Sequence, residues 1–375
     1  MEIIKTKLER ITNFWNDFVW DYEMIQKCIV WNAEVKTNYY GDILSYFNET
    51  FDIIVTKPQE NDFQKSIFYA TGLLQIIYVH QDITDELLMI FKINNSLKED
   101  KNPNREIRNE LIGHPINKDS KTKELLSSIF WGRHLSVNNI HYIKYSKENN
   151  FSGIEKSFSV DEIIESHKAF LNKYFDLILD KIQKISKGYI IKLKELENVI
   201  SKDDFNLIVE LTSKVFEHIF TTDYLYEKEI LKDCNRRKDE HIRYKLVVEN
   251  FKKDLSQMLV EKRLQINEIC SEVTMKPIVE FEIAQPKIKI SFVSSDEMNS
   301  GKSLMKKDYH YEIEKLFSKH PIWGVSYFKK EFNDDPEILN ELINMETNID
   351  SNLEYYSSFH YLKSLIKKRI AKPSH

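Results

Sequence analysis

Ile4, Leu8, Ile11, Trp15, Phe18, Tyr22, Ile25 and Ile29 recur at alternating spacings of four and three, which places one apolar stripe along one side of a helix. The aromatic members favour a stripe that faces a bundle core over a coiled-coil seam. A second helical segment covers Phe68 to Ile93, with a break expected near Asp82, where His80, Gln81 and Asp82 interrupt the apolar pattern. A mostly polar stretch then leads through Pro103 into a short helix over Arg105 to Ile112. Proline suits its first turn, Gly113 suits a left-handed C-cap, and Pro115 prevents continuation. Ser120 to Trp131 reads as a further helix ending at Gly132, and Ile140 to Tyr145 as a strand of a small inserted hairpin. Ser159 and Glu162 form a capping box ahead of an amphipathic helix from Val160 to Ile185, which is expected to stop before Gly188.

This pattern predicts a helical domain over residues 1–187 and a second, mainly helical domain over 188–375. The run Tyr189 to Lys276 contains neither Gly nor Pro and reads as two or more long helices. Ile278–Ile283 and Ile288–Phe292 alternate around Ala284-Gln285-Pro286, a second hairpin candidate. With 8 Gly and 8 Pro in 375 residues, the chain is too poor in turn formers for a turn-dense all-β sandwich or propeller, so the expected fold class is mainly α. A formal net charge of −5 with 30% charged residues gives no strong global field, so contact with nucleic acid requires a local basic surface. The 3 cysteines, odd in number and widely spaced, fit neither a disulfide framework nor a zinc site. The first twenty residues lack a signal-peptide apolar core, and the stretch Leu73–Val79 is far shorter than the ~20 residues of a membrane span. A cytoplasmic protein without membrane partners is the expectation.

The most informative segment is Arg105-Glu106-Ile107-Arg108-Asn109-Glu110-Leu111-Ile112-Gly113-His114-Pro115. Arg108 and His114 are separated by five residues, with Asn109 directly after the arginine. Here the sequence resembles the HEPN superfamily, whose hallmark is an Arg, often followed by a polar residue such as Asn, with four to six residues before a His. The resemblance covers residues 1–187 and implies a helical bundle, usually dimeric, and in active members a metal-independent endoribonuclease. By the same resemblance the expected setting is bacterial defence or toxin-type growth arrest, with RNA as substrate and a homodimer as the working form. A regulatory partner or antitoxin would act through the C-terminal domain. No cofactor or metal is expected. In HEPN toxins paired with nucleotidyltransferase antitoxins a Tyr commonly lies two residues after the His; here that position is Ile116.

The residue types suit the chemistry. Histidine titrates near neutral pH and serves as acid or base, while a planar guanidinium offers parallel donors to phosphoryl oxygens. Arg108, Asn109 and His114 are the catalytic candidates, with Asp82 and Arg105 as supporting residues. Asp82 either orients the His114 imidazole or caps a helix beginning at Ile83. The competing reading makes Arg108 a snorkelling surface residue and His114 a helix-end cap in a non-catalytic helical dimerisation and partner-binding protein. Arg236-Arg237-Lys238-Asp239-Glu240-His241 repeats an Arg-to-His spacing inside a charged helical run and reads as a solvated helix face. Ser300-Gly301-Lys302-Ser303 lacks the upstream glycine of a phosphate-binding loop. The other histidines, including His134, His167, His218 and His310, show no metal-ligand spacing and read as structural.

Overall fold

The computed structural model describes residues 2–58, 62–94, 103–118, 123–132, 134–147, 150–220, 226–271, 309–317 and 321–371. The chain divides into two compact units, Met1–Glu195 with Lys262–Val273, and Leu196–Glu261 with Thr274–His375. It is mainly helical, with one small antiparallel sheet among the described residues. The second hairpin candidate at 278–292 and the Ser300–Ser303 stretch lie outside those residues.

In the first unit, helix α1 (Glu2–Phe14) runs into a π-turn at Trp15–Val19, followed by the short helices α2 (Glu23–Gln26) and α3 (Ala33–Thr37). All eight stripe residues from Ile4 to Ile29 are buried, as their spacing predicts. The helix is nevertheless not continuous, because the π-turn inserts an extra residue while keeping Trp15 and Phe18 in the core. Helix α4 (Tyr40–Val55) packs on α1 and on α5 (Phe63–Ile90). α5 is unbroken at Asp82, which sits inside the helix and caps nothing. His80, Gln81 and Thr84 are buried on its inner side, so these polar residues are part of the core rather than a gap in the helix.

Helix α6 (Pro103–Arg108) is followed directly by a second π-turn, Asn109–Gly113. Four strands follow: β1 (Ile116–Lys118), β2 (Leu125–Phe130), β3 (Asn139–Tyr145) and β4 (Ile154–Ser159), an antiparallel meander in that order. The helix predicted over Ser120–Trp131 is therefore a strand over Leu125–Phe130. Its apolar pairs Leu125-Leu126 and Ile129-Phe130 have helical spacing, but long-range pairing of Ser128 with Lys144 and Phe130 with Tyr142 fixes an extended chain. The predicted strand at Ile140–Tyr145 is present as β3, a central strand of a four-stranded sheet rather than half of a hairpin. Phe130, Ile140, Tyr142 and Phe158 on its inner face join Leu73, Leu74, Ile77, Ile107, Leu111 and Ile163 in one core.

Half of the capping box is present: the Glu162 N–H donates to Ser159 Oγ at 3.4 Å at the start of α7 (Val160–Lys202). α7 continues through Gly188, where it was expected to stop; a Cβ there would meet nothing within 4 Å, so no contact requires this glycine. Such an interior glycine costs about 1 kcal/mol relative to Ala, which one position in so long a helix tolerates. α7 ends at Lys202, with Asp203 in the left-handed region (φ 57°) and Asp204 capping α8 (Phe205–Val215) by accepting from Leu207 N–H at 3.2 Å. The Gly-free run thus breaks at aspartates, which tolerate that backbone and satisfy helix starts. α9 (Lys228–Arg236) and the long α10 (Ile242–Cys270) complete it. In the second unit α11 (His310–Phe317), α12 (Pro321–Glu331), α13 (Pro336–Thr347) and α14 (Asn352–Ala371) enclose a core that includes Phe328, Leu342, Tyr355 and Leu362.

Candidate functional site

The Arg108–His114 segment is held by its apolar residues. Ile107 and Leu111, four apart, are 2% and 6% exposed in the core shared by α5, the sheet and α7. Buried Asn104 donates from Nδ2 to the Ile163 carbonyl at 3.0 Å, tying the start of α6 to α7. At the other end the His114 N–H donates to the Asn109 carbonyl at 2.8 Å, an i to i−5 closure that defines the π-turn. Pro115 then begins the sheet by accepting from Ser128 N–H at 2.8 Å. Gly113 is not a left-handed C-cap, contrary to the sequence expectation. Its φ lies outside the left-handed region, and a Cβ would stand 2.7 Å from Arg108 Nη1, so a side chain here would displace the end of the arginine rather than strain the backbone.

Arg108 lies half-buried along α5. Its Nε and Nη2 donate to Gln75 Oε1 at 3.1 and 3.0 Å, its Nη1 donates to Asn109 Oδ1 at 3.0 Å, and its guanidinium carbon lies 4.2 Å from the Tyr78 ring centroid. Arg105, one turn earlier, lies 4.8 Å from the same ring and donates to Gln81 Oε1 at 2.8 Å. The two arginines differ in one respect. Arg105 is paired with the Asp82 carboxylate, whereas among the described residues Arg108 meets only neutral acceptors. Three of the five guanidinium N–H groups of Arg108 are used this way, and two remain for a ligand. Asp82 is engaged by Arg105, and His114 is exposed at the end of the turn with no side-chain partner among the described residues.

Glu110, which sequence reasoning passed over, anchors the π-turn to the sheet. Its carboxylate accepts from Tyr142 Oη at 2.6 Å, Lys144 Nζ at 2.6 Å and Lys156 Nζ at 3.0 Å, with 13% of its side chain exposed. Burial pushes this carboxyl up, but hydrogen bonds from Lys144, Tyr142 and Lys156 outweigh it and hold it below the ordinary carboxylate value. No local signal could have found it, because its partners come from strands more than thirty residues away.

His80 and His167 form a second, buried constellation. His80 Nε2 is 2.8 Å from Thr50 Oγ1, its Nδ1 is 3.3 Å from His167 Nε2, and Phe47 stacks on its ring at 3.9 Å. Burial pushes His80 down to about 3 and His167 well below its ordinary value, so both are neutral. They are core histidines, as their place on apolar helix faces suggested for His167.

The second Arg-to-His run is not a helix face but the turn between α9 and α10. There Arg236 pairs with Asp233, and Arg237 with Glu240 and Glu354 at 2.7 and 2.8 Å, so both guanidinium charges are matched by carboxylates, unlike that of Arg108. No disulfide joins the cysteines: Cys28 is exposed, Cys234 buried and Cys270 half-buried. Among the described residues no three His, Cys, Asp or Glu side chains are grouped to hold a metal ion, and no helix is long and apolar enough to cross a membrane. Comparison of the chain with protein-family models, characterised proteins and solved structures returned no match.

Proposed function

We propose that the chain is a metal-independent endoribonuclease of HEPN type, with Arg108, Asn109 and His114 as its catalytic residues. The observation that carries the reading is the contrast between the two arginines on Tyr78: Arg105 is paired with Asp82, while among the described residues Arg108 meets only neutral acceptors and has two unused N–H groups beside the exposed His114 turn. An uncompensated guanidinium held rigidly by neutral acceptors is preorganised for an anion. In the reaction a base removes the 2′-hydroxyl proton and O2′ attacks phosphorus. The P–O5′ bond breaks as the leaving oxygen takes a proton, giving a 2′,3′-cyclic phosphate and a 5′-hydroxyl. His114 supplies one of the two proton transfers and a second copy of the chain the other. Arg108 stabilises the charge on the phosphoryl oxygens, and Asn109 fixes Arg108. Bacterial defence or toxin-type growth arrest, with a regulator acting through the second unit, is the setting that accompanies this reading.

The alternative is a non-catalytic interaction module, favoured by the Gln75 fork, in which Arg108 simply fastens α6 to α5. Induced expression of the wild type and of His114→Ala, followed by sequencing of 5′-hydroxyl RNA ends, separates the two. The nuclease produces such ends only with His114 intact; equal end profiles from both proteins would leave the interaction module standing.

A further inference from the structure

A cavity of about 170 Å³ opens between the first π-turn and the start of α4, walled by Trp15, Asn16, Trp20, Tyr39, Asp42 and Ser45. Trp20 and Tyr39 are 45% and 42% exposed, with ring centroids 5.3 Å apart and planes at 86°, an edge-to-face contact whose perpendicular rings bound a corner. We propose that this corner is a binding site for a methylated ammonium group.

Four observations point to that chemistry. Aromatic faces carry negative quadrupole density and attract cations, most strongly when several converge. Asp42 adds a carboxylate to the wall, and among the described residues it has no cationic partner. A neighbouring ring already holds one of the protein's own cations: Trp31, edge-on to Trp20 at 5.5 Å, carries Lys36 Nζ at 5.5 Å. Trp20 and Tyr39 have no such occupant among the described residues. Finally, Tyr39 holds φ at 41°, a left-handed backbone that is unusual for a bulky aromatic residue and that places its ring beside Trp20. Gly41 keeps that wall compact, since a Cβ there would lie 3.0 Å from Asn16 Oδ1 and 3.3 Å from the Tyr39 ring.

Size and charge decide against a stacked nucleobase, the other ligand that aromatic corners take. The cavity is smaller than the ~300 Å³ at which drug-sized ligand pockets begin, and the wall offers a carboxylate rather than a cation for a phosphate. A methylammonium head fits both limits.

The test is isothermal titration of the full chain with choline, with 3,3-dimethylbutan-1-ol as its neutral isostere, and with adenosine monophosphate. Saturable binding of choline with none of the isostere is expected, weakened about tenfold or more in Trp20→Leu and also reduced in Asp42→Asn. Circular dichroism should be unchanged in both, because Trp20 and Asp42 are exposed. Equal binding of the isostere would reduce the corner to an apolar pocket, and binding of the nucleotide alone would assign it to a base. Absence of binding by choline, or binding indifferent to both substitutions, would likewise end the proposal.

Discussion

The guanidinium of Arg108 occupies the space that a side chain on Gly113 would need, with Nη1 2.7 Å from the ideal Cβ position. A glycine before the exposed histidine thus leaves room for the arginine five residues earlier, and the π-turn is what brings the two together. A straight α-helix would have closed at i to i−4.

Gly113→Ala tests this contact with stability and activity moving apart. The backbone of Gly113 is not left-handed, so alanine is tolerated there, and its higher helix propensity offsets part of the contact cost by up to about 1 kcal/mol. The melting temperature should change little. The Arg108 guanidinium must shift, and RNA cleavage should fall at least tenfold; cleavage at the wild-type rate would show that the position of Arg108 is not critical.

Glu110→Gln should destabilise the first unit without touching the proposed catalytic groups. The substitution leaves Lys144 and Lys156 facing a neutral group in a half-buried site, and hydrogen bonds to charged groups of this kind contribute about 1.5–3 kcal/mol each. Because Glu110 titrates below its ordinary value, its contribution is present above pH 4.5 and is lost as pH falls through the lowered value. Urea unfolding at pH 7 should show the loss, and the difference between wild type and variant should shrink as the pH is lowered below 4.5.

The buried histidines give a separate acid sensitivity. Both are neutral when folded and titrate near 6.5 when unfolded, so the unfolded chain takes up more protons below that pH and stability falls as pH drops. The slope should approach about 1.4 kcal/mol per pH unit for each histidine, beginning well above the range where Glu110 acts. His80→Met removes one titrating group, and Thr50 Oγ1 keeps its bonds to the carbonyls of Tyr46 and Phe47. Its unfolding free energy between pH 6.5 and 5 should fall about half as steeply as that of the wild type. Parallel curves would place the titrating groups elsewhere.

How much of this was legible in the sequence follows the range of the interactions. The stripe from Ile4 to Ile29, the Ser159 cap and the strand at Ile140–Tyr145 rest on neighbours a few residues apart, and all three are present. The strand at Leu125–Phe130 was read as a helix because its local spacing is compatible with one, and only β3 decides the matter. The candidate site divides in the same way. Arg108 and His114 stand out in the chain, but the neutral cradle of Gln75 and Tyr78, the diversion of Asp82 to Arg105 and the anchoring role of Glu110 all depend on distant segments.

Chelation distinguishes side-chain acid–base chemistry from metal-assisted hydrolysis. The proposed cleavage uses only Arg108, Asn109 and His114, so the rate should be the same in EDTA as in magnesium. Loss of cleavage in EDTA with recovery on adding magnesium would replace this mechanism with a metal-dependent one.

The last expectation concerns assembly and follows from counting proton carriers. In-line attack needs a base at the entering oxygen and an acid at the leaving oxygen, and one segment supplies one exposed imidazole, His114. Asp82 does not supply the second group, since it is committed to Arg105, and the neutral pair His80–His167 is buried away from solvent. A two-fold dimer that brings two His114 turns together provides both, and it also doubles the uncompensated Arg108 charge facing the phosphate. Light scattering of the active protein should therefore give a dimer. Arg108→Lys keeps the charge but has no fork for Gln75 and a phosphoryl oxygen at once, and should cost about 1.5–3 kcal/mol of transition-state stabilisation. Mixing and refolding Arg108→Ala with His114→Ala chains tests sharing directly. The heterodimer keeps one arginine and only one of the two imidazoles, so if both act on one phosphate, with the second proton transfer left to water, cleavage should return weakly, above either variant alone and well below the wild type. A monomer that cleaves at full rate would show that both proton transfers are completed within one chain.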